Sequence, residues 1–118
     1  MKKTILLLFI AMSLTTFAKD YPVKSPDGKI QVTVSVDKQI TWSATVGNQP
    51  VFTNNTISLD LGTTVLGANP KVTSAKTSSV NEEVKTVVAV KSNKIANHYN
   101  QLTLAFKPDY SVSFRLFD

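Results

Sequence analysis

Between Ile30 and Val46 the chain alternates apolar and polar side chains almost without interruption, and that period of two excludes most folds at once. Ile30, Val32, Val34 and Val36 fall on one side, with Gln31, Thr33 and Ser35 on the other. After the polar connection Asp37-Lys38-Gln39, the alternation resumes with Ile40, Trp42, Ala44 and Val46. Two such runs joined by a few polar residues predict a β-hairpin with one buried face. Val and Thr, both stiff at χ1 and suited to strands, supply 25 of the 100 residues from Lys19 to Asp118, so the preference extends beyond the hairpin.

The remainder reads as more of the same. Ser25-Pro26-Asp27-Gly28 and Gly47-Asn48-Gln49-Pro50 are turn clusters. Val51-Phe52 suggests a short strand, and Ile57, Leu59 and Leu61 a further alternating one ended by Gly62. Residues 72–79 are expected to form a polar edge strand. Residues 82–95 fit a helical face through Val84, Val87, Val88 and Ile95, but also alternate through Val84, Thr86, Val88 and Val90; valine crowding on a helix favours the strand. Leu102, Leu104 and Phe106, the turn Lys107-Pro108-Asp109, and Tyr110, Val112, Phe114 and Leu116 form a last hairpin. Seven to nine strands with no secure helix predict an all-β antiparallel β-sandwich. Its expected core is Ile30, Val32, Val34, Ile40, Trp42, Leu102, Leu104, Phe114 and Leu116.

The N-terminus has a different character. Lys2-Lys3, an apolar run over residues 5–14, and Thr16-Phe17-Ala18 match a signal peptide over residues 1–18, cleaved before Lys19. Spanning a bilayer takes about 20 apolar residues, and this run is half that. The chain is therefore expected to be periplasmic or secreted, with no membrane attachment after cleavage. Absence of cysteine excludes disulfides, zinc–thiolate sites and a lipoprotein anchor. Thirteen basic residues stand against eight acidic ones, and loss of Lys2 and Lys3 leaves a mild, scattered +3 that argues against nucleic acid. The chain stops at Phe114-Arg115-Leu116-Phe117-Asp118 within or just after an apolar strand, an ending expected of the front part of something longer.

No self-contained catalytic constellation is present. Glu82-Glu83 is the one acidic pair, but glycoside chemistry needs carboxylates facing each other about 5–10 Å apart, and neighbours on a strand point to opposite faces. Asp27 and Asp37 sit in turns. His98, the single histidine, has no nucleophile motif to serve. Catalytic, cofactor and metal residues are thus expected to be none, while Trp42, Tyr99 and Tyr110 could stack on a sugar ring.

Four stretches, in order, resemble one family. Ser25-Pro26-Asp27-Gly28-Lys29-Ile30, running into 31–36, is similar to the opening of glycoside hydrolase family 97. Leu66-Gly67 with Asn69-Pro70-Lys71-Val72, then Asn97-His98-Tyr99-Asn100-Gln101-Leu102, then Phe114-Arg115-Leu116-Phe117-Asp118, resemble its later landmarks. Gln101 stands where the family usually has glutamate. The resemblance implies that residues 19–118 are a partial N-terminal domain, the front of a galactose-mutarotase-like β-supersandwich. It implies a parent enzyme with a catalytic (β/α)8 barrel, acting on α-glucosides or α-galactosides with a calcium ion near the substrate. The family's catalytic carboxylates lie in the barrel, so none maps onto this chain. The implied partners are that barrel and, through it, an α-linked oligosaccharide. Two other roles fit the same residues: a free-standing carbohydrate-binding module, or a sandwich for protein–protein contact.

Overall fold

The structure is a computed structural model, and it describes residues 18–85, 87–88 and 94–118. Residues 1–17 of the expected signal peptide, 1–18, lie outside the described residues. Nine strands and no helix make up the described chain: β1 (Lys19–Lys24), β2 (Ile30–Val36), β3 (Ile40–Val46), β4 (Gln49–Ile57), β5 (Leu59–Asp60), β6 (Val65–Leu66), β7 (Val72–Lys85), β8 (Lys94–Phe106) and β9 (Tyr110–Phe117). The first sheet has the order β1-β2-β3-β4, the second β7-β8-β9, and β5-β6 is a small hairpin between them in sequence. Every pairing is antiparallel.

The expected hairpin forms with Val36 opposite Ile40 and Val34 opposite Trp42, which puts the apolar set of both strands on one face. That face meets the second sheet. Val23, Val32, Val34, Val36, Ile40 and Ala44 from the first sheet pack with Leu102, Leu104, Phe106 and Leu116 from the second. Six of the nine expected core residues are buried, whereas Ile30, Trp42 and Phe114 are partly buried against the cluster. Trp42 lies near the β4 side of the sandwich. Its ring meets Phe52 at 5.3 Å and Phe114 at 6.0 Å between centroids.

One strand has no counterpart in the sequence reading, and two expectations need correction. Strand β1 carries only Tyr21 and Val23 towards the core, with Pro22 between them, too little pattern to be read from sequence. Ile57, Leu59 and Leu61 do not form one buried strand: β4 ends at Ile57, β5 turns away to pair with β6, and Leu59 and Leu61 are exposed. Residues 82–95 are not one strand either. Val84 pairs with Ile95, so the segment holds the end of β7 and the start of β8, and Val87 and Val88 between them are exposed. Residues 86 and 89–93 lie outside the described residues. As expected, residues 72–79 lie on an edge strand, since β7 pairs only with β8.

Candidate functional site

Polar side chains converge where the β1–β2 turn, the middle of β8 and the end of β9 come together. The turn is built by Ser25, the one buried polar residue among the described residues, at 2 % exposure. Its backbone N–H donates to the Ile30 carbonyl at 2.8 Å, and its carbonyl accepts from Gly28 N at 2.9 Å. Gly28 closes the turn at φ +75°, a conformation that costs glycine nothing. The Ser25 hydroxyl accepts from Ile30 N at 3.0 Å and donates to Asp27 Oδ1 at 2.6 Å. Asp27 Oδ1 also accepts from Lys29 N at 3.0 Å. These bonds favour the ionised form, the Ser25 hydroxyl first and the Lys29 amide next, and hold the Asp27 carboxyl below its ordinary pKa.

Asp118 ties this turn to the second sheet. One of its carboxylate oxygens accepts from Asp27 N at 2.8 Å, and the other sits 2.7 Å from His98 Nδ1. Two residues further along β8, Asn100 Nδ2 donates to the Lys24 carbonyl at 2.8 Å, and its Oδ1 accepts from Ser79 Oγ at 2.6 Å. Asn100 thus joins β1, β7 and β8. Three of the four sequence landmarks therefore meet at one place, and what they build is a clasp between the two sheets.

The clasp is not a catalytic triad. Ser25 is buried and its hydroxyl proton is directed at Asp27, so no nucleophile is presented beside His98. Glu82 and Glu83 are both exposed neighbours on β7, and Glu83 pairs with Lys94 Nζ at 2.9 Å. Among the described residues no group of three or more His, Asp or Glu side chains could hold a metal ion.

The three candidate stacking residues are not brought together. Trp42 and Tyr110 pack against the core from between the sheets. The Tyr110 ring stacks on Phe106 at 5.0 Å and 12°, and its hydroxyl accepts from Gly67 N at 3.3 Å. Tyr99 points the other way, away from the core. It meets Phe117 at 5.0 Å and 52°, and the Arg115 guanidinium lies 5.2 Å above its ring. Gly67, from the remaining landmark, is buried at φ +92°, where a Cβ would lie 2.6 Å from the Ile57 carbonyl oxygen.

Residues 23–118 match the family described as Glycosyl-hydrolase 97 N-terminal. The chain belongs to that family. A similar protein is the retaining alpha-galactosidase of Bacteroides thetaiotaomicron, 35 % identical over 119 residues that cover 99 % of this chain and 18 % of that protein. Among solved structures, a glycoside hydrolase family 97 enzyme from a Pseudoalteromonas species, in complex with acarbose, superposes with a TM-score of 0.73 at 24 % identity over 83 % of this chain and 16 % of its own. A beta-arabinopyranosidase superposes with a TM-score of 0.73 at 20 % identity, over 85 % and 17 %. These two share the fold. The chain thus spans less than a fifth of the relatives it matches, and within them it is the N-terminal domain of the family 97 architecture.

Sequence reasoning found the landmarks without their purpose. His98 and Asp118 were legible as family positions, but nothing in the sequence said that they would face each other and the 25–28 turn. The Asn100 bridge between sheets was likewise unmarked.

Proposed function

We propose that residues 19–118 are the non-catalytic front of the N-terminal sandwich of an exported family 97 α-glycosidase, packing on a catalytic barrel and helping to shape its sugar pocket. The observation that carries this reading is the identity of 35 % along 99 % of the chain with a protein named as a retaining alpha-galactosidase, of which the matched part is only 18 %. Chemistry on the sugar then belongs to the rest of the parent. The acidic side chains here support that division: Asp27 and Asp118 are engaged in the clasp, and Glu83 in an ion pair. Among the described residues no group of three or more His, Asp or Glu side chains could hold the calcium ion expected of the parent. Cleavage before Lys19 would release the chain to the periplasm or beyond.

Hydrolysis of nitrophenyl α-galactoside and α-glucoside tests the reading. The longer polypeptide in which this segment occurs should hydrolyse one of them, and residues 19–118 alone neither, with or without calcium. Turnover by 19–118 that vanishes in Glu83→Gln would overturn the non-catalytic assignment. Mass spectrometry of the exported protein should find Lys19 as its first residue.

A further inference from the structure

The two sheets differ on the faces they turn away from the core. On the first sheet that face carries Gln31, Thr33 and Ser35 from β2 and Thr41, Ser43 and Thr45 from β3, the composition expected against water. The second sheet breaks the pattern. Leu102, Leu104 and Phe106 of β8 point into the core, so Ile95, Asn97, Tyr99 and Gln101 point outward. Across the strands, Val80, Tyr99 and Phe117 form one row, and Val84 with Ile95 another. Val84, Ile95 and Phe117 are 46 %, 54 % and 46 % exposed. Apolar side chains clustered where alternation calls for polar ones mark a contact surface.

The same surface runs out along an arm. Strand β9 reaches only to Tyr99, whereas β7 and β8 continue to pair to Lys85 and Lys94. Among the described residues no third strand accompanies the ladder from Glu82↔Asn97 onward. A two-stranded ribbon with no cover is marginal in water, and beyond the Lys85↔Lys94 pair Val87 and Val88 stand 102 % and 74 % exposed. At its root Arg115 lies over Tyr99 and donates through Nε to Gln101 Oε1 at 2.7 Å. The Gln101 amide continues to Thr103, which is 3.1 Å from Ser113. Tyr, Phe and Arg held in place are the residues that dominate protein contacts.

We propose that this outer face and its arm, centred on Val80, Val84, Ile95, Tyr99 and Phe117, are the surface by which the sandwich docks on the remainder of its own longer polypeptide. The inference rests on the reading of the chain as part of a longer enzyme. What selects that occupant is length: more than four-fifths of each relative lies outside the matched segment, a body large enough to cover an arm that the sandwich leaves bare. A sugar is the poorer occupant. The aromatic rings are inclined at 52°, and Arg115 already lies over Tyr99, so no flat, bare platform is offered.

Hydroxyl-radical footprinting with mass spectrometry tests this on the 118-residue chain and on the longer polypeptide. Tyr99, Phe117 and Ile95 should be labelled several-fold less in the longer protein, while Tyr21 on β1 changes little. The double variant Val84→Glu, Ile95→Lys should restore the labelling of Tyr99 and Phe117 there without altering the melting of the short chain. Equal labelling in both proteins, in a longer polypeptide that hydrolyses an α-glycoside, would overturn the docking face and leave the enzyme assignment standing. A folded longer polypeptide with no such activity would instead overturn the assignment, whatever the labelling shows. Protection that appears in the short chain only as its concentration rises would assign the face to a second copy and overturn the proposal.

Discussion

Replacing Gly67 with alanine should be among the most damaging single-methyl additions in the domain, and a second glycine supplies the control. Gly67 sits at φ +92° and Gly62 at φ +82°, so alanine at either position meets a similar backbone penalty, about 1–2 kcal/mol. The surroundings differ. A Cβ at Gly62 has nothing within 4 Å, whereas at Gly67 it would stand 2.6 Å from the Ile57 carbonyl oxygen and 3.3 Å from Ser58 Cα. Both are backbone atoms at the end of β4, so no side-chain rotation relieves the overlap. Moving them also strains the neighbouring bonds from Gly67 N to the Tyr110 hydroxyl and from Asn69 N to the Lys38 carbonyl. Overpacking of this kind adds about 1–3 kcal/mol. Urea and thermal unfolding of residues 19–118, followed by the fluorescence of the single tryptophan, Trp42, reads the difference. At about 4–8 °C per kcal/mol for a domain this size, Gly67→Ala should melt on the order of 10 °C or more below the parent, and Gly62→Ala roughly half as far. Equal losses for the two variants would refute the close approach to Ile57.

Leu104→Ala removes a 0 % exposed side chain from the middle strand of the second sheet and should cost about 3–5 kcal/mol in urea unfolding. Asp27→Asn should reveal the clasp through pH: the folded-state pKa of Asp27 is lowered, chiefly by the Ser25 hydroxyl, so its carboxylate contributes stability above the unfolded carboxylate pKa and loses it as pH falls through the folded one. The variant should therefore be less stable than the parent at neutral pH and converge with it in acid; a gap independent of pH would sink this. Light scattering should find residues 19–118 self-associating through the first sheet, because β4 is an edge strand there and its Phe52 stands 51 % exposed beside Trp42. A monomer with a sharp, reversible transition at high concentration would count against that open side.

Legibility followed burial. The β2–β3 hairpin could be read because one of its faces is covered and the other wet, which prints a period of two into the sequence. The same logic misreads residues 82–95. Val84, Val87, Val88 and Ile95 look like covered residues, yet in this chain they stand exposed on an arm, so the pattern carried no sign of the reversal between β7 and β8. Leu59 and Leu61 failed for a similar reason. Alternation can be continued by exposed leucines after the strand itself has ended. The clasp was invisible because it joins residues 27 and 118 across two sheets, and its partners are fixed by how those sheets stack, not by any local spacing.

The unequal outer faces also favour the docking proposed above. Docking through the first sheet would strip water from Gln31, Thr33, Ser35, Thr41, Ser43 and Thr45, and each hydroxyl or amide left unpaired would cost about 1–3 kcal/mol. Docking through the second sheet buries Val80, Val84, Ile95 and Phe117 instead. There the polar groups at the root of the arm, Arg115, Gln101, Thr103 and Ser113, already bond to one another. Desolvating that row leaves fewer bonds to replace. On that proposal the second face loses less and gains more on contact, which would leave the first sheet to solvent.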